Sequence, residues 1–516
     1  MKTAVGIDLG TTYSAVAIMQ DGQPTIIPNV EGQNITPSVV LFPSTDSGEE
    51  PLVGDMAKHS AAQSPLDVVQ FVKRQMGDPN WRFESANGHS YSAEEVSAII
   101  LKKLKNDAEM ALGQTITDVV ITVPAYFDDA RRTATKQAGQ IAGMNVLRVL
   151  NEPTAAAMSY GLTHDKNGTV LVYDLGGGTF DVTIMDVKDG NFDVLATDGN
   201  RNLGGFDFDN RIAEYVFEQI EEQGITRDVR MDDLLVAEIR EKSEIAKKSL
   251  TTVTQTSIML SIDGRHIRIK LTRDEFEKRT KDLLNTTREL VEYAMSNAGK
   301  SWSDIDHLLL IGGSTRMPMV KEMISELSGK NPELNVNPDE AVALGAAIQA
   351  YVSSSEAAGS DDGSGVPVMI GGEMITLNVS DVTSQALGVI MLDDNGREQN
   401  FVVIPKNSKI PTKGDVAAST VVDQQSAINV RVTQGEDRDV KYVTEIGSSI
   451  IPIAKYPKGA PFTVSYAYDI DQTVYVELRD DTLGTVVGKF EVDRLMNMDE
   501  REVQDAMRRI DNMDIQ

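Results

Sequence analysis

In the first two thirds of the chain, apolar residues form short strand-like runs, separated by glycine-rich turns and by longer runs with helical spacing. Residues 170–184 contain two β-rich runs on either side of residues 176–179, Gly-Gly-Gly-Thr, which predicts a hairpin whose turn carries no bulky side chain. Residues 4–18 repeat this order, and Asp-Leu-Gly stands at both 8–10 and 174–176. The self-similarity predicts two related halves that each present a hairpin to a shared cleft.

Helical periodicity appears between the strand-like runs. Residues 57–77 are predicted to turn helical and to carry Lys73 on that helix. Residues 92–112 are predicted to form a helix that begins with a capping box. Residues 128–142 are predicted to form a second helix, which ends at Gly143. The alternation of strands and helices indicates an α/β layer architecture.

Two helices rich in small residues are predicted at 151–161 and 341–348, in equivalent places of the two halves. Small side chains allow helices to approach closely, so these two are predicted to cross and to act as a hinge. Between them, helices at 211–223, 232–249 and 273–298 around a β-type run indicate a lobe inserted at about 206–298.

The composition changes at 353–366, where Gly, Ser, Asp and Ala predict a flexible linker that we extend to residue 380. The strands that follow predict a β-sandwich, and residues 499–510 predict one helix that packs on it. The predicted strands are at 374–392, 401–404, 416–422, 427–433, 462–468, 473–479 and 486–492.

The composition narrows the class of protein. With 516 residues and 41% hydrophobic content, the chain is long enough for two to four folded units. The absence of cysteine and the scattered positions of the five histidines exclude disulfides and disfavour structural zinc. A net charge of −29 disfavours nucleic acid and anionic membranes as partners. No apolar run is long enough to cross a bilayer and no cleavable leader is apparent, so we expect a cytoplasmic protein.

The glycine turns carry the candidate chemistry. Bare N–H groups in such turns suit phosphate oxygens, and Asp174 and Asp181 at the edges of one turn suit a hydrated Mg²⁺ and an attacking water. A third glycine turn at 312–316 joins a buried strand to a helix, as in many nucleotide sites. From the residues alone, Lys73 fits a solvated helix lysine as well as a ligand, and Glu152 fits either a helix-dipole carboxylate or a cleft residue.

Several ordered motifs together resemble the 70-kDa heat-shock (DnaK-type) chaperones. The motifs lie at 6–14, 121–127, 151–157, 174–182 and 312–318, and weaker matches follow at 381–383, 404–412 and 467–471. The resemblance implies an actin-like (ribonuclease H-like, duplicated) ATPase domain at 1–352, a linker at 353–380, a β-sandwich peptide-binding domain at 381–494 and a short helix at 495–516. It also implies an ATP-dependent chaperone in protein folding and the stress response.

The resemblance assigns roles to matching residues around ATP or ADP. It implies Asp8 and Asp174 as holders of Mg²⁺, mainly through water. It implies a phosphate-binding and catalytic set consisting of Gly10, Thr11, Thr12, Tyr13, Lys73, Glu152, Gly176, Gly177, Gly178, Thr179 and Asp181. It implies an adenosine-binding set consisting of Glu244, Lys247, Lys248, Gly312, Gly313, Ser314, Arg316 and Asp339.

The resemblance also implies partners. Arg148 matches an arginine through which the family responds to J-domain co-chaperones, and a nucleotide exchange factor is expected as well. An extended apolar peptide would bind in a channel that takes main-chain hydrogen bonds and one apolar pocket. The residues that match this channel are Val389, Met391, Leu392, Ser419, Val421, Ile428 and Val430.

Four departures from the family pattern stand out. Lys248 replaces an arginine that usually stacks on adenine, and Phe206 replaces a glutamate. Polar residues interrupt the usually apolar linker at 375–380, which weakens the expectation of ATP-driven coupling between domains. Only about one short helix fits after Val492, so we expect no long helical lid and a faster exchange of peptide than in lidded relatives.

Three other functions share parts of this pattern. Sugar and acetate kinases use the same hairpins and cleft, but they do not explain the β-rich part. A nucleotide-gated scaffold with little turnover would not need all four of the residues Lys73, Glu152, Asp174 and Asp181. Their joint presence therefore argues against this function. A cytoskeletal filament former would need a polymerising surface, which the strong acidity does not favour.

Overall fold

Two sheets built in the same way form the framework of residues 3–356. The computed structural model describes residues 3–43, 50–86, 88–164, 167–225, 227–356, 367–370, 373–393, 395–469, 473–492 and 497–515. The strands of the first half are β1 Thr3–Asp8, β2 Tyr13–Gln20, β3 Gln23–Ile27, β4 Thr36–Pro37, β5 Val39–Leu41, β6 Leu52–Val53, β7 Val68–Gln70, β8 Phe83–Glu84, β9 Ser90–Tyr91, β10 Ile116–Val123 and β11 Asn145–Asn151. Its helices are α1 Asp55–Ser60, α2 Ala93–Leu112, α3 Asp129–Ile141 and α4 Glu152–His164.

The second half repeats the plan and adds an insertion. Its strands are β12 Gly168–Leu175, β13 Phe180–Lys188, β14 Asn191–Asn200, β15 Gln255–Ile262, β16 Arg265–Thr272 and β17 His307–Ile311. Its helices are α5 Gly205–Glu222, α6 Asp233–Leu250, α7 Arg273–Asn297, α8 Pro318–Ser328 and α9 Ala341–Glu356. The inserted helices and the β15–β16 hairpin lie where helical and β-type patterns predict them.

The strand order shows the duplication directly. In the first sheet the order is β11-β10-β1-β2-β3, and in the second it is β17-β12-β13-β14 with one further edge strand. In both, an antiparallel meander of three strands is extended by a parallel partner of its first strand. Because the matched hairpins β1–β2 and β12–β13 are central in their sheets, their turns occupy equivalent positions.

The prediction of one helix at 57–77 is wrong. The structure has α1, then turns, β7 and a 3-10 helix at Val72–Gln75. Apolar residues at Val69 and Val72 are buried in the same core as α2, so tertiary packing of short segments produces spacing that imitates a helix. Lys73 therefore lies on a four-residue 3-10 helix.

The small-residue helices α4 and α9 pack against each other, as their composition predicts. A Cβ atom built on Gly345 would overlap the carbonyl oxygen of Ala155, so the backbones touch at this point. Gly161 does not end α4, since the helix continues to His164. The hinge role of this crossing stays a prediction.

Two four-stranded antiparallel sheets with a common core form the β-rich part, as predicted. One has the order β22-β21-β24-β25 and the other β23-β26-β27-β28. Their strands are β21 Leu387–Leu392, β22 Glu398–Ile404, β23 Thr412–Ser419, β24 Gln425–Gln434, β25 Thr444–Tyr456, β26 Pro461–Tyr468, β27 Val474–Asp480 and β28 Thr485–Glu491. The sequence reasoning missed β25, because its Gly-Ser-Ser stretch and its proline are typical of turns.

The segment predicted as a flexible linker is partly ordered. Helix α9 continues to Glu356, and short strands β18 Pro367–Ile370, β19 Glu373–Thr376 and β20 Asn378–Ser380 follow, whereas residues 357–366 lie outside the described part. Strand β20 pairs in parallel with Asn191–Asp193 of β14 and becomes an edge strand of the second sheet. Residues 378–380 are therefore structured despite their polar composition, because main-chain hydrogen bonds hold them.

The last helix, α10 Glu500–Asp511, does not pack on the sandwich. Its apolar stripe joins the core of the first half, where it contacts α3 and α2. Arg509 pairs with Glu95, and the Lys102 amine donates to the carbonyl oxygens of Ile510 and Met513 at 2.7 and 2.9 Å. The stripe in the sequence predicts the helix but does not specify its partner.

Among the described helices, none has the length and apolar character that crossing a membrane requires.

Replacing Lys102 by methionine is expected to release α10 from α2. The substitution removes a cation that caps carbonyl groups at the helix C-terminus, and charge-assisted bonds of this kind contribute roughly 1.5–3 kcal/mol. Amide hydrogen exchange in residues 500–515 should accelerate by at least about tenfold. Lys105→Met, on the same helix, is the control, because Lys105 bonds only the Gly143 carbonyl. Equal exchange in the two variants would contradict the capping role.

Candidate functional site

The matched hairpin turns open into one cavity between the two halves. It is lined by Asp8, Gly10, Thr11, Thr12, Tyr13, Lys73, Glu152, Asp174, Gly176, Gly177, Thr179, Gly312, Gly313, Pro338, Asp339 and Val342. All but Pro338 and Val342 were selected from the sequence. Pro338 and Val342 line the cavity together with the third glycine turn. Nothing in the sequence around them indicates a binding site.

The turn at residues 176–179 has its carbonyl groups fixed on one side. The Gly176 oxygen accepts hydrogen bonds from the Gly205 N–H and the Ser314 hydroxyl, both at 2.9 Å. The Gly177 oxygen accepts from the Phe206 N–H at 2.8 Å, and the Gly178 oxygen accepts twice from the Arg74 guanidinium. In a trans peptide the next N–H points away from the carbonyl. The following N–H groups are thus directed to the opposite side of the turn, in an arrangement suited to anions.

The two hairpin turns lie against each other, which explains their small residues. A Cβ atom on Gly177 would overlap Thr12, and one on Gly178 would lie 2.5 Å from Thr11. The Gly10 carbonyl accepts a 2.8 Å hydrogen bond from Ser38, which fixes the first turn in the same way. Glycine at 177 and 178 therefore leaves room for the side chains of Thr12 and Thr11, in addition to its role in turn geometry.

Four carboxylates and one lysine form the polar wall of the cavity. Asp8, Glu152, Asp174 and Lys73 line the cavity, and the buried Asp181 does not line it but lies opposite Asp174 on the next strand. Asp8 ends β1, Asp174 lies near the end of β12 and Asp181 lies near the start of β13, while Glu152 begins α4. Lys73 forms an ion pair with Glu152, and both side chains are largely buried. Asp8 accepts a 3.0 Å bond from the Thr122 hydroxyl. Lys73 and Glu152 thus both face the cleft, which decides between the alternatives that the residues alone left open.

The three aspartates of this wall have raised pKa values. Burial, reinforced by repulsion from Glu152, raises the pKa of Asp8 to about 7. The same two causes raise the pKa of Asp181 to about 8 and raise that of Asp174 well above its usual range. One oxygen of Asp181 accepts from the Tyr126 N–H at 2.9 Å, and its other oxygen has no hydrogen-bond partner. Ionising these carboxyls together in a buried cavity requires added positive charge.

Asp181 is expected to make the stability of the nucleotide-free protein depend on pH. Its native pKa of about 8 exceeds the unfolded value of about 3.9, so the native state binds more protons and the unfolding free energy falls as pH rises between them. Asp181→Asn removes this slope. Its Tm relative to wild type should therefore rise between pH 6 and pH 8.5 in scanning calorimetry. Asp186→Asn, on the same strand but half-exposed, should give no such trend.

The residues of α6 that were assigned to adenosine do not all lie at the cavity. Glu244 pairs with Lys58 of the first half at 3.0 Å and with Lys248 at 2.7 Å. Both lysine amines also donate to the Tyr13 hydroxyl, so this cluster spans the cleft. Lys247 is buried, and its amine pairs with Asp209 at 2.8 Å rather than lining the cavity. Lys58 was missed because nothing near it in sequence marks a site.

The third glycine turn contributes backbone and one ion pair. Gly312 and Gly313 line the cavity, and Ser314 holds the Gly176 carbonyl. The Arg316 guanidinium pairs with the carboxylate of Asp339 at 2.5 Å and is about half exposed. The turn therefore joins the phosphate side of the cavity to its open rim.

The residues assigned to a peptide channel differ in burial, and their role in peptide binding stays a prediction. Val389 and Val430 are buried in the core of the sandwich, while Met391 and Ile428 are partly buried against it. The remaining members are exposed, namely Leu392, Ser419 and Val421.

Contacts near Arg148 join the sandwich to the first half, and a separate ion pair joins it to the second half. Arg148, on β11, is one of the charges that act on the buried carboxyl of Asp381, which directly follows β20. The Asn151 amide donates to the same carboxyl at 2.5 Å, and Asn151 adjoins Glu152 of the cavity. The Tyr468 hydroxyl donates to Asp129 at 2.6 Å, and Lys406 pairs with Asp198 at 2.9 Å.

The comparison with known families gives one match. The HSP70 family model, described as Hsp70 protein, matches residues 4–514 of this chain. The match spans both halves around the cavity, the β-rich part and the last helix.

Proposed function

The chain belongs to the Hsp70 family, and from that premise we propose that it is an ATP-dependent molecular chaperone whose nucleotide site is the cavity between the two halves. The observation that carries the proposal is the pair of matched glycine turns, with fixed carbonyls on one side and four carboxylates with one lysine beside them. The equivalent strand orders support a duplicated actin-like fold for residues 1–352.

The groups of the cavity suit Mg²⁺ and a nucleoside triphosphate. Raised carboxyl pKa values and the unpartnered oxygen of Asp181 favour a cation at this wall. Asp8 and Asp174 would hold Mg²⁺ mainly through water, and the ion would neutralise charge that develops on the phosphates. Gly10 with Thr11 and Thr12, and residues 176–179, would bind the phosphates. The residues at the open rim, including Arg316 and Asp339, would contact adenosine.

The catalytic roles follow from what phosphoryl transfer needs. The reaction depends on positioning and charge stabilisation more than on covalent chemistry. Lys73 would bind the γ-phosphate, since its amine is held in the cleft by Glu152. Glu152 and Asp181 would orient the attacking water, and the Thr179 hydroxyl would complete the phosphate contacts. ATP would be hydrolysed to ADP and phosphate.

Coupling between nucleotide and peptide sites is supported by the contacts around Asp381. Its carboxyl is bonded to Asn151, whose neighbour Glu152 belongs to the nucleotide wall. The Ser384 hydroxyl donates to the Phe127 carbonyl at 3.2 Å, and Tyr126 binds Asp181 through its N–H. A rearrangement of the wall upon hydrolysis would thus alter the attachment of the sandwich, where exposed apolar peptide segments would bind. Arg148 would be the contact for a J-domain co-chaperone.

Single-turnover hydrolysis tests the function. Phosphate release from Mg²⁺-ATP is measured with and without a leucine-rich unstructured peptide. We expect hydrolysis to ADP and phosphate, and acceleration by the peptide. Transfer of the phosphate to a sugar or to acetate would identify a kinase instead. Nucleotide binding without hydrolysis would favour a scaffold that uses ATP only as a ligand.

Asp381→Asn is expected to uncouple the domains. The amide keeps the size of the side chain but loses the charge that faces Arg132 and Arg148. Basal hydrolysis should stay within about threefold of wild type, while acceleration by peptide should fall by at least about tenfold. Asp415→Asn is the matched control, because Asp415 is exposed on the sandwich strand β23. Full peptide response in Asp381→Asn would show that coupling takes another route.

A further inference from the structure

Phe206, a departure from the family pattern, makes an aromatic contact across the cleft. Its ring centroid lies 4.5 Å from that of Phe71, with the ring planes at 50°. Phe206 belongs to the first turn of α5 in the second half, and its N–H binds the Gly177 carbonyl at 2.8 Å. Phe71 lies in the first half, directly before the 3-10 helix that carries Lys73. The two cavity walls thus meet next to the lysine.

Arg74 completes this contact from the side of the 3-10 helix. Its guanidinium carbon lies 5.0 Å from the centroid of the Phe206 ring, in a cation–π arrangement. The same guanidinium donates to the Gly178 carbonyl at 3.0 and 2.8 Å and pairs with Asp207. One side chain therefore fixes the orientation of the glycine turn and touches the aromatic pair.

Phe71 also has an unusual backbone conformation. Its φ angle is +59°, in the left-handed region that aromatic residues rarely adopt. Such conformations persist only where the surroundings hold them, and they cluster at functional sites. The four-residue 3-10 helix that starts here is too short to hold its own geometry. Val72 and the following Met76 are buried in the core of the first half, and the aromatic pair adds to the contacts of Arg74 on the cleft side.

We propose that Phe71, Arg74 and Phe206 form a clasp across the cleft that positions Lys73 relative to the glycine turn. Phe71 and Phe206 are thereby positioning residues for phosphoryl transfer, an inference that rests on the proposed ATPase function. The lysine amine ends a long flexible side chain, and displacement by about 1 Å is enough to slow a positioned reaction roughly a hundredfold. The clasp fixes the backbone from which that side chain starts.

The clasp predicts a separation between turnover and binding. Phe206→Ala and Phe71→Gly should each slow single-turnover hydrolysis by about fivefold to twentyfold, with the Kd for ATP changed less than about threefold. Glycine accepts the positive φ without strain, so Phe71→Gly removes the side chain without adding strain at this position. The double variant should be no slower than the slower single variant, because either substitution removes the same pair. Phe206→Tyr should restore the rate to within about twofold.

A second measurement and a matched control complete the test. Phe206→Ala should accelerate amide hydrogen exchange in residues 71–76 of the nucleotide-free protein. Phe83→Ala removes a ring that lies 5.0 Å from Phe42 in the same half, and it should leave hydrolysis unchanged. Wild-type rates in both clasp variants, or additive losses in the double variant, would overturn the clasp. Absence of hydrolysis in wild type would overturn the proposed function instead.

Discussion

Lys73→Ala is expected to slow single-turnover ATP hydrolysis by at least about a hundredfold. The substitution removes the one amine that lies among the four carboxylates of the cavity wall and leaves Glu152 without its ion-pair partner. Removing a single positioned donor to a developing negative charge typically costs about 10² to 10³ in rate. The measurement is phosphate release with enzyme in excess over Mg²⁺-ATP.

Two variants make the result specific. Lys105→Ala removes a half-buried lysine of the same half that does not line the cavity, and it should hydrolyse ATP at the wild-type rate. Lys73→Met keeps the length of the side chain without its charge and should be as slow as the alanine variant. If either Lys73 variant retained a rate within about threefold of wild type, another group would stabilise the transferred phosphate.

Gly345→Ala is expected to destabilise the first 356 residues strongly, although it adds only one methyl group. The added Cβ would overlap the Ala155 carbonyl oxygen, and both atoms belong to the backbones of packed helices. The helices α4 and α9 must then separate, and overpacking of this kind costs about 3 kcal/mol or more. The Tm for unfolding of this part should fall by roughly 5 °C or more in scanning calorimetry.

Gly161→Ala is the matched control for the helix crossing. Gly161 lies in α4 as well, but a Cβ atom there would meet the Phe192 ring at 3.3 Å, which a small shift of the ring relieves. This variant should lose less than about 1 kcal/mol, because alanine also favours the helix over glycine. Similar Tm values for the two variants would show that α4 and α9 separate easily.

The local elements and the glycine turns of the cavity were predictable from sequence because their signals are local. The hairpins at residues 4–18 and 170–184, the capped helix from Ser92 and the inserted helices have periodicity and turn residues that act within a few positions. The repeated Asp-Leu-Gly indicated two halves, and the paired sheets have that construction. Asp8 and Asp174 could thus be assigned to one cleft without knowledge of the fold.

Whether an isolated residue takes part in a site was decided by tertiary structure. Lys73 and Glu152 are 79 positions apart, and their pairing depends on how a 3-10 helix and the start of α4 meet. The segment at 57–77 was misassigned because buried short segments share the spacing of a helix. Arg74 adjoins Lys73 in sequence, yet only the fold shows that it holds the Gly178 carbonyl.

The sequence by itself determined most of the elements, the two related halves, the β-rich part and the residue types of the cavity, since these follow from patterns within short windows. Tertiary structure alone decided the partners of elements whose own surfaces fit several neighbours. The apolar stripe of α10 contacts α2 and α3 instead of the sandwich, and residues 378–380, of which Asn378 and Ser380 are polar, join a sheet through main-chain bonds. The Phe71–Phe206 contact also depends on closure of the cleft. Such contacts depend on the free energy of the whole packed chain, which no local pattern contains.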